Sequence, residues 1–285
     1  MPTYTPAVLS PAGSSALSGP RTVLVTGAAS GIGYQTARLL AIAGMSVIVH
    51  ARNGARAQEA VEQLVRDGAD RSRLDTAVAD FAHLDDVADM AHDVIRRHPR
   101  LDLLVNNAAV LGPPGRALTD EGNELSFQVN FLAHFLLTRM LEPTFAASPA
   151  PRVVNVSSAL HRTGSINWTD PTRSRGYSQV AAYAQSKLAL TIFARAFTEY
   201  GRSAATAVSV HPGVVSTRLL PCYGTVGRPA SEGAAAVTHL CSTATKVAPG
   251  AYYDRLAVAE PGPKVGESRT MGRLWKLGTD LTGQA

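Results

Sequence analysis

The stretch Thr22-Val-Leu-Val-Thr-Gly27-Ala-Ala-Ser-Gly31-Ile-Gly33 decides the fold of this 285-residue chain. Its first five residues form a short apolar and β-branched run, which predicts a buried strand. A turn with three glycines follows, and apolar residues then recur at helical spacing until Gly44. The sequence therefore predicts a strand, a Gly-rich turn and a helix in direct succession.

Such a turn can hold the phosphates of a nucleotide. Glycines let the backbone turn tightly and approach a pyrophosphate, and the helix that follows offers free N–H groups to the anion. A purely structural turn is the alternative, but the strand before and the helix after provide the context that a phosphate site requires. We therefore predict cofactor contacts from five residues of the turn: Gly27, Ser30, Gly31, Ile32 and Gly33.

The alternation of strand and helix patterns continues outward from this turn. Further strands are predicted at 46–50, 74–79, 101–105, 152–156 and 205–210, and helices at about 56–66, 84–95, 121–145 and 180–200. This order predicts an α/β fold, a single Rossmann-type, doubly wound parallel sheet with helices on both faces. We expect one domain over 21–285, in which 219–285 is an accessory C-terminal region. Residues 1–20, rich in Pro, Ser, Ala and Gly, are predicted to be a flexible tail.

Composition limits the classes of protein to consider. Hydrophobic residues make up 45% and charged residues 17% of the chain, as in ordinary globular proteins. The chain has neither a signal-peptide pattern nor an apolar run of the ~18–20 residues that a membrane span needs, so we expect no membrane partner and a cytoplasmic location. Cys222 and Cys241 have no close metal-ligand spacing and are expected to be free thiols.

The net charge of +5 suits an anionic ligand such as a phosphorylated cofactor. The basic residues are scattered, without a basic run or interleaved aromatic residues, so we expect no nucleic-acid partner. The segment His50-Ala-Arg52-Asn53 after the second strand has no acidic residue to bind a ribose 2′-hydroxyl. Arg52 can instead pair with a 2′-phosphate, which favours NADP(H), although an exposed loop arginine is often only solvated.

Tyr183-Ala-Gln-Ser-Lys187 lies within the predicted helix 180–200. A spacing of four residues places both side chains on one face of the helix. Tyrosine is a poor proton donor near neutral pH unless a nearby ammonium stabilises its phenolate. The spacing is common by chance, but downstream of a phosphate-binding turn it indicates proton-transfer catalysis. Ser157 and Ser158 close the fifth strand, where a hydroxyl can hold a substrate oxygen beside the tyrosine.

These motifs resemble the short-chain dehydrogenase/reductase family over about residues 21–255. The glycine spacing is G-x-x-x-G-x-G, Asn106-Asn-Ala-Ala109 follows the fourth strand, and His211-Pro-Gly213 follows the sixth. Ala109 replaces the family's common glycine. Val105–Val110, Asn130-Phe-Leu-Ala-His-Phe135 and the wide gap between Ser158 and Tyr183 are similar to the retinol dehydrogenase-like group.

The resemblance implies roles for particular residues. Catalysis is expected from Asn130, Ser158, Tyr183 and Lys187, where Ser158 is preferred over Ser157 and Asn130 kinks the long helix and holds a water of a proton relay. Tyr183 and Lys187 are also expected to contact the cofactor. Further cofactor contacts are expected from residues that follow the strands: Arg52, Asn53, Asp80, Phe81, Asn107, Ala108, Ala109, Pro212, Gly213, Val215 and Thr217. Asp80 has the alternative role of a helix cap. His161, Trp168 and Tyr177 either line the substrate site or pack locally. We expect the substrate site to be lined mainly by the loops at about 111–119, 161–179 and 219–228. The domain over 21–285 is thus expected to be an NADP-binding catalytic domain, with a substrate loop in its accessory part 219–285.

The function that follows is hydride transfer between NADP(H) and a small-molecule ketone, aldehyde or secondary alcohol. A non-redox elimination, epimerisation or cyclisation that uses Tyr183 is the alternative, and a catalytically silent NADP-binding protein is a third reading. We expect no metal. Since relatives usually pair through the helices predicted at 121–145 and 180–200, we also expect a homodimer or homotetramer.

Overall fold

A computed structural model describes residues 20–216, 219 and 226–284. In this part of the chain the strands are β1 (Thr22–Val25), β2 (Ser46–Ala51), β3 (Leu74–Val78), β4 (Leu103–Asn106), β5 (Arg152–Val156), β6 (Thr206–His211), β7 (Tyr252–Asp254) and β8 (Ala257–Ala259). They form one sheet in the order β3-β2-β1-β4-β5-β6-β7-β8. Every neighbouring pair is parallel except β7 and β8. The predicted doubly wound α/β fold is confirmed.

Helices cover both faces of the sheet because alternate strand residues point to opposite sides. Val23 and Val25 pack, within the same apolar cluster, with α1 (Gly31–Ile42), α2 (Gly54–Arg66) and α8 (Ala230–Cys241). Leu24, between them, belongs to the cluster of α3 (Leu84–Arg97), α5 (Ala133–Met140), α7 (Gln179–Tyr200) and α9 (Ser268–Thr282). Because β1, β2, β4 and β5 are parallel, the turns that follow them emerge at one edge of the sheet, where such folds bind ligands.

The long helix predicted at 121–145 is wrong as a single element. It consists of α4 (Leu125–Phe127), a π-helical segment (Gln128–Leu132), α5, and α6 (Glu142–Phe145). The first turn begins only at Leu125 because the Glu124 carboxylate accepts hydrogen bonds from the N–H groups of Ser126 and Phe127. Single-turn π segments inside helices are frequent at functional sites, and this one contains Asn130.

The described part of the C-terminal region contributes to the core. Val237, Leu240 and Cys241 of α8 are fully buried beneath α1, and β7 extends the sheet next to β6. No clear period of apolar residues marks this helix in the sequence, since α8 is rich in alanine and has little contrast between its faces. Residues 1–19, where the flexible tail is predicted, lie outside the described residues.

Helix α9 lies on the outer faces of α5 and α7. The Trp275 ring lies 5.4 Å from the Phe135 ring and 6.1 Å from the Phe193 ring, and the Arg139 guanidinium stacks over it at 4.6 Å. These are the helices through which we expected copies of the chain to pair. The chain's own helix α9 packs on part of their surface, and the pairing of copies stays a prediction. No helix in the described ranges has the length and apolar character needed to cross a bilayer.

Candidate active site

The Gly-rich turn between β1 and α1 is built for close backbone approach. Gly27 and Gly31 have φ values of +66° and +58°, the left-handed region that favours glycine. A Cβ at Gly33 would lie only 2.3 Å from the Gly27 carbonyl oxygen and 2.4 Å from Asn107 Nδ2. The first turn of α1 contains no acidic residue, and Ser30 is its exposed N-cap. The turn therefore presents the positive end of a helix dipole to an anion.

His50, which the sequence analysis did not assign to the site, fixes this turn from β2. Its Nδ1 accepts the N–H of Gly27 at 2.9 Å, and its Nε2 donates to the carbonyl of Ala79 at 3.1 Å. Burial lowers the pKa of His50 to about 4, so the ring is neutral at physiological pH. Phe81 stacks on it at 4.5 Å. A histidine at the end of an apolar strand gives no sequence signal of this role.

The turn after β4 is joined to the Gly-rich turn through Thr26. Its Oγ1 accepts the N–H groups of Asn107 at 2.8 Å and Ala108 at 2.9 Å. The side-chain amide of Asn107 donates to the Thr26 carbonyl at 2.8 Å. Asn107 thus shapes the nucleotide site by holding the two turns together, while Ala108 and Ala109 are partly exposed at the same edge.

The residues predicted to bind the adenosine end follow β2 and β3. Arg52 is exposed, and Asn53 caps α2 by accepting the N–H of Arg56 at 3.0 Å. Asp80 is partly buried and its carboxylate accepts the N–H of Ala82 at 3.0 Å, which closes a turn ahead of α3. The N-cap of α3 is His83, so the alternative role of Asp80 as a helix cap is wrong. The Phe81 side chain is 4% exposed because it packs on His50. Cofactor contacts of these residues remain predictions.

Asn130 connects the π segment to the catalytic helix. Its Oδ1 accepts the N–H of Val110 at 2.8 Å, and its Nδ2 donates to the Val110 carbonyl and to Ser186 Oγ, both at 2.9 Å. Ser186 in turn donates to the carbonyl of Tyr183 at 2.7 Å. Asn130 is therefore buried and bonded to the turn of α7 that carries Tyr183 and Lys187, rather than pointing to solvent.

Tyr183 and Lys187 are both 2% exposed and share one face of α7. The Lys187 ammonium lies 5.7 Å from the centre of the Tyr183 ring and donates to the carbonyl of Val156 at 2.8 Å. Val156 is the last residue of β5 and precedes Ser158 by two positions. These contacts bring the ends of β5, α7 and the π segment together.

The two serines after β5 have different partners. The Ser157 hydroxyl lies 2.5 Å from Thr191 Oγ1 and 3.3 Å from the carbonyl of Lys187, so it is engaged with the body of α7. Ser158 Oγ accepts the N–H of Leu160 at 3.0 Å, as the N-cap of a 3₁₀ turn. These contacts agree with the preference for Ser158, whose catalytic role stays a prediction.

The last group of predicted cofactor contacts follows β6. Gly213 has a φ of +90°, and the strand-like segment after it pairs with Arg228, whose N–H donates to the Val214 carbonyl at 2.9 Å. Val215 is 6% exposed, and Pro212 lies between it and the strand. Thr217 lies outside the described residues.

Two of the three residues in the wide gap contact the C-terminal region, and a role of either in the substrate site stays a prediction. His161 donates from Nδ1 to the Ser158 carbonyl at 2.7 Å and accepts the N–H of Gly262 at 3.0 Å, and Arg273 covers Trp168 at 4.4 Å. The Tyr177 hydroxyl donates to the carbonyl of Pro113 at 2.9 Å, which joins the two loops that we expect to line the substrate site. Within the described ranges, no three His, Cys, Asp or Glu residues are placed to hold a metal ion.

Comparison with known proteins agrees with this geometry. Residues 21–222 match the family described as short chain dehydrogenase. The chain belongs to this family and resembles its retinol dehydrogenases, so the predicted family and group are confirmed. It is an oxidoreductase of a family that uses nicotinamide cofactors.

Three relatives illustrate the similarity. Mouse polyprenol dehydrogenase is 38% identical over 284 residues, which cover 92% of this chain and 84% of that protein. Mouse retinol dehydrogenase 13 is 33% identical over 284 residues, covering 93% and 84%. The crystal structure of an uncharacterised protein from Mycobacterium paratuberculosis is 31% identical and superposes with a TM-score of 0.76 over 93% of this chain and 94% of that one.

Proposed function

We propose that the protein is an NADP(H)-dependent carbonyl reductase or alcohol dehydrogenase. The observation that supports this most directly is the contact between three elements of the site. Lys187 bonds to the end of β5 beside Ser158, and Asn130 bonds to Ser186, the neighbour of Lys187. A proton donor, a cation and a hydroxyl are thereby gathered at the edge of the sheet where the Gly-rich turn binds anions.

The residues of the chain can handle the proton of a hydride transfer. A bound nicotinamide supplies or accepts the hydride. Negative charge then builds on the carbonyl oxygen, and a proton has to reach that atom. We assign the proton to the phenol of Tyr183 and the holding of the oxygen to the Ser158 hydroxyl. The Lys187 ammonium, 5.7 Å from the Tyr183 ring, favours the phenolate that remains.

NADP(H) rather than NAD(H) is the proposed cofactor because of the residues that follow β2. Arg52 is exposed there, and the salt bridges among the described residues do not include it. The first turn of α2, which Asn53 caps, has no acidic side chain, so it would not repel a 2′-phosphate. The backbone cradle of Gly27, Gly31 and Gly33 suits the pyrophosphate of either cofactor.

The proposed substrate is a ketone, an aldehyde or an alcohol. Apolar compounds are the first that should be tested as substrates. Two relatives that cover most of the chain are named for polyprenol and retinol, both of which are apolar alcohols. The segments expected to line the substrate site, about 111–119 and 161–179, are joined by Tyr177 and by Arg116, which donates to the carbonyl of Thr172 at 2.8 Å. Such bonds would fix the two segments relative to each other beside a bound substrate.

Incubation of the purified protein with NADPH and a panel of carbonyl compounds tests the proposal. The panel should include retinal, prenyl aldehydes and polar ketones, with the corresponding alcohols and NADP⁺ for the reverse direction. We expect loss of the reduced-nicotinamide absorbance with apolar members, and none with a Tyr183→Phe control. Conversion of a compound without any change in the nicotinamide would favour the non-redox alternative, and no conversion at all would favour a silent NADP-binding protein.

A cytoplasmic location and a homo-oligomeric state also belong to the proposal. Cys241 is a buried free thiol whose pKa burial raises to about 12, so it stays protonated; Cys222 lies outside the described residues. Recovery of the full chain in the high-speed supernatant without detergent, and a mass above the monomer by light scattering, are the expected results. Recovery in the membrane fraction, or a monomer mass, would contradict the respective part.

A further inference from the structure

His134 is a fully buried histidine that lies between the cofactor turn and the catalytic helix, and the proposed reaction does not use it. It belongs to α5, four residues after Asn130. Its Nδ1 lies 3.1 Å from the backbone carbonyl oxygen of Asn130, and its Nε2 lies 3.0 Å from Thr26 Oγ1. A carbonyl oxygen can only accept, so Nδ1 carries the proton and Nε2 accepts from the Thr26 hydroxyl.

One arm of His134 reaches the cofactor turn. Thr26 Oγ1 accepts the N–H groups of Asn107 and Ala108, which leaves its own hydrogen to be donated. Two acceptors compete for that hydrogen, the carbonyl of Val105 at 3.2 Å and His134 Nε2 at 3.0 Å. The histidine thus helps to orient the hydroxyl that joins the turns after β1 and β4.

The other arm reaches the catalytic residues. Asn130 lies in the π segment, where the N–H of Ala133 bonds five residues back to Gln128 instead of four. The backbone carbonyl of Asn130 accepts the ring Nδ1–H of His134, while the Asn130 side chain bonds to Val110 and Ser186. The orientation of Asn130 is therefore fixed from both its backbone and its side chain.

The proton on His134 does not move at working pH. Burial lowers the pKa of His134 to about 3, and the charge of Lys187 opposes protonation further. The His50 ring lies on the other side of Phe81 from His134. Burial keeps His50 neutral as well. A neutral ring with one donor and one acceptor keeps the same pair of partners over the whole range in which an oxidoreductase works.

We infer that His134 is a positioning residue that holds Asn130 and the Gly-rich turn at a fixed separation. Through Asn130 and Ser186 it sets where α7 presents Tyr183, relative to the nucleotide held by the turn. Reacting atoms have to be placed within a fraction of an ångström, and a misplacement of 1 Å can lower a rate by ~10²-fold. This inference rests on the proposed function.

Three substitutions separate the two arms. In side-chain geometry the amide of asparagine can replace Nδ1 of histidine, and the amide of glutamine can replace Nε2. His134→Asn therefore keeps a donor for the Asn130 carbonyl, His134→Gln keeps a contact for Thr26, and His134→Phe keeps only the ring. Thr138→Val is the matched control: Thr138 is buried one turn further along α5 and accepts a bond from Asn106, outside the His134 network.

The full-length variants should be compared for kcat, KM, NADPH affinity and melting temperature with a carbonyl compound that the wild type reduces. We expect kcat to fall ~10- to 100-fold in His134→Phe, which loses both contacts, with KM and NADPH affinity changed less than about threefold. His134→Asn and His134→Gln each lose one contact, so the kcat of both should lie below that of the wild type and above that of His134→Phe. A wild-type kcat in both single-contact variants, or losses no larger than in Thr138→Val at the same drop in melting temperature, would overturn the inference.

A second measurement does not depend on turnover. Hydrogen exchange at the Asn107 and Ala108 amides reports the Thr26 arm, and we expect it to be at least about tenfold faster in His134→Phe than in Thr138→Val or His134→Gln. Unchanged exchange would overturn the inference even if the enzyme is active. If the wild type reduces no compound yet shows the expected exchange pattern, the proposed function fails while the link from His134 to the turn stands.

Discussion

Replacing Gly33 with alanine should damage the nucleotide site, although local helix preference favours the change. Gly33 is the third residue of α1, and alanine in a helix is better than glycine by ~1 kcal/mol. A Cβ at this position would lie 2.3 Å from the carbonyl oxygen of Gly27 and 2.4 Å from Nδ2 of Asn107. Neither atom can yield easily, because one is backbone and the other is bonded to the Thr26 carbonyl.

Overpacking of this kind costs ~1–3 kcal/mol. After the gain in helix preference, the free energy of unfolding should fall by no more than ~2 kcal/mol. The larger effect should be on binding, since relief of the clash opens the turn that approaches the pyrophosphate. A loss of at least ~1.4 kcal/mol in binding corresponds to a tenfold weaker NADPH affinity.

Gly54→Ala is the matched control, because Gly54 is the first residue of α2 and a Cβ there would meet nothing within 4 Å. It should bind NADPH as the wild type does and gain up to ~1 kcal/mol in stability. Titration of NADPH fluorescence and thermal unfolding measure both quantities. If Gly33→Ala binds NADPH as tightly as Gly54→Ala, the turn does not require the close approach described above, and the reasoning is refuted.

Three further predictions concern selectivity, chemistry and pH. Arg52→Asp should shift cofactor preference toward NADH by ~1–3 kcal/mol in relative affinity; a wild type with equal affinity for NADPH and NADH contradicts this. Tyr183→Phe should lower turnover ~10²- to 10⁴-fold with NADPH affinity nearly unchanged, whereas Lys187→Ala should lose both; near-normal turnover of Tyr183→Phe would move the non-redox alternative to the front. Burial lowers the pKa of His50 to about 4 and of His134 to about 3, so the folded state favours the neutral rings, and the stability present above the unfolded pKa of ~6.5 is lost as pH falls toward those values. Between pH ~7 and ~5 each ring should contribute a loss of ~2 kcal/mol, and a melting temperature that stays flat over this range would exclude it.

The strand and helix alternation could be predicted because each element carries its own period. Val23, Leu24 and Val25 are buried from both faces of a parallel sheet, and continuous apolar runs are the signature of such strands. The π segment could not be predicted, since the side chains from Leu125 to Met140 keep an apolar helical pattern through it. The carboxylate of Glu124 delays the start of the helix. The wider π turn comes from backbone hydrogen bonds that span five residues, which the apolar periodicity does not reveal.

The candidate site divides in the same way. Residues in short motifs, such as Tyr183 and Lys187, were predicted because two residues that are four positions apart in a helix always lie on the same face. Asn107 was predicted as a cofactor contact, which stays a prediction, and the bond from its side chain to the Thr26 carbonyl could not be predicted. Thr26 and His134 are 108 positions apart in the chain, so no local pattern could show that they meet.

The two buried histidines show what a polar residue in an apolar run can do in this fold. The Gly-rich turn leaves the Gly27 N–H inside the protein, the π segment does the same with the Asn130 carbonyl, and buried backbone groups need partners. His50 satisfies the first and His134 the second, each as a neutral ring whose proton position is fixed by a carbonyl oxygen. A leucine at either position would fill the volume but leave a buried polar group without that bond, at a cost of ~1–3 kcal/mol. The histidines are therefore better explained by the buried backbone groups to which they bond than by the apolar runs in which they occur.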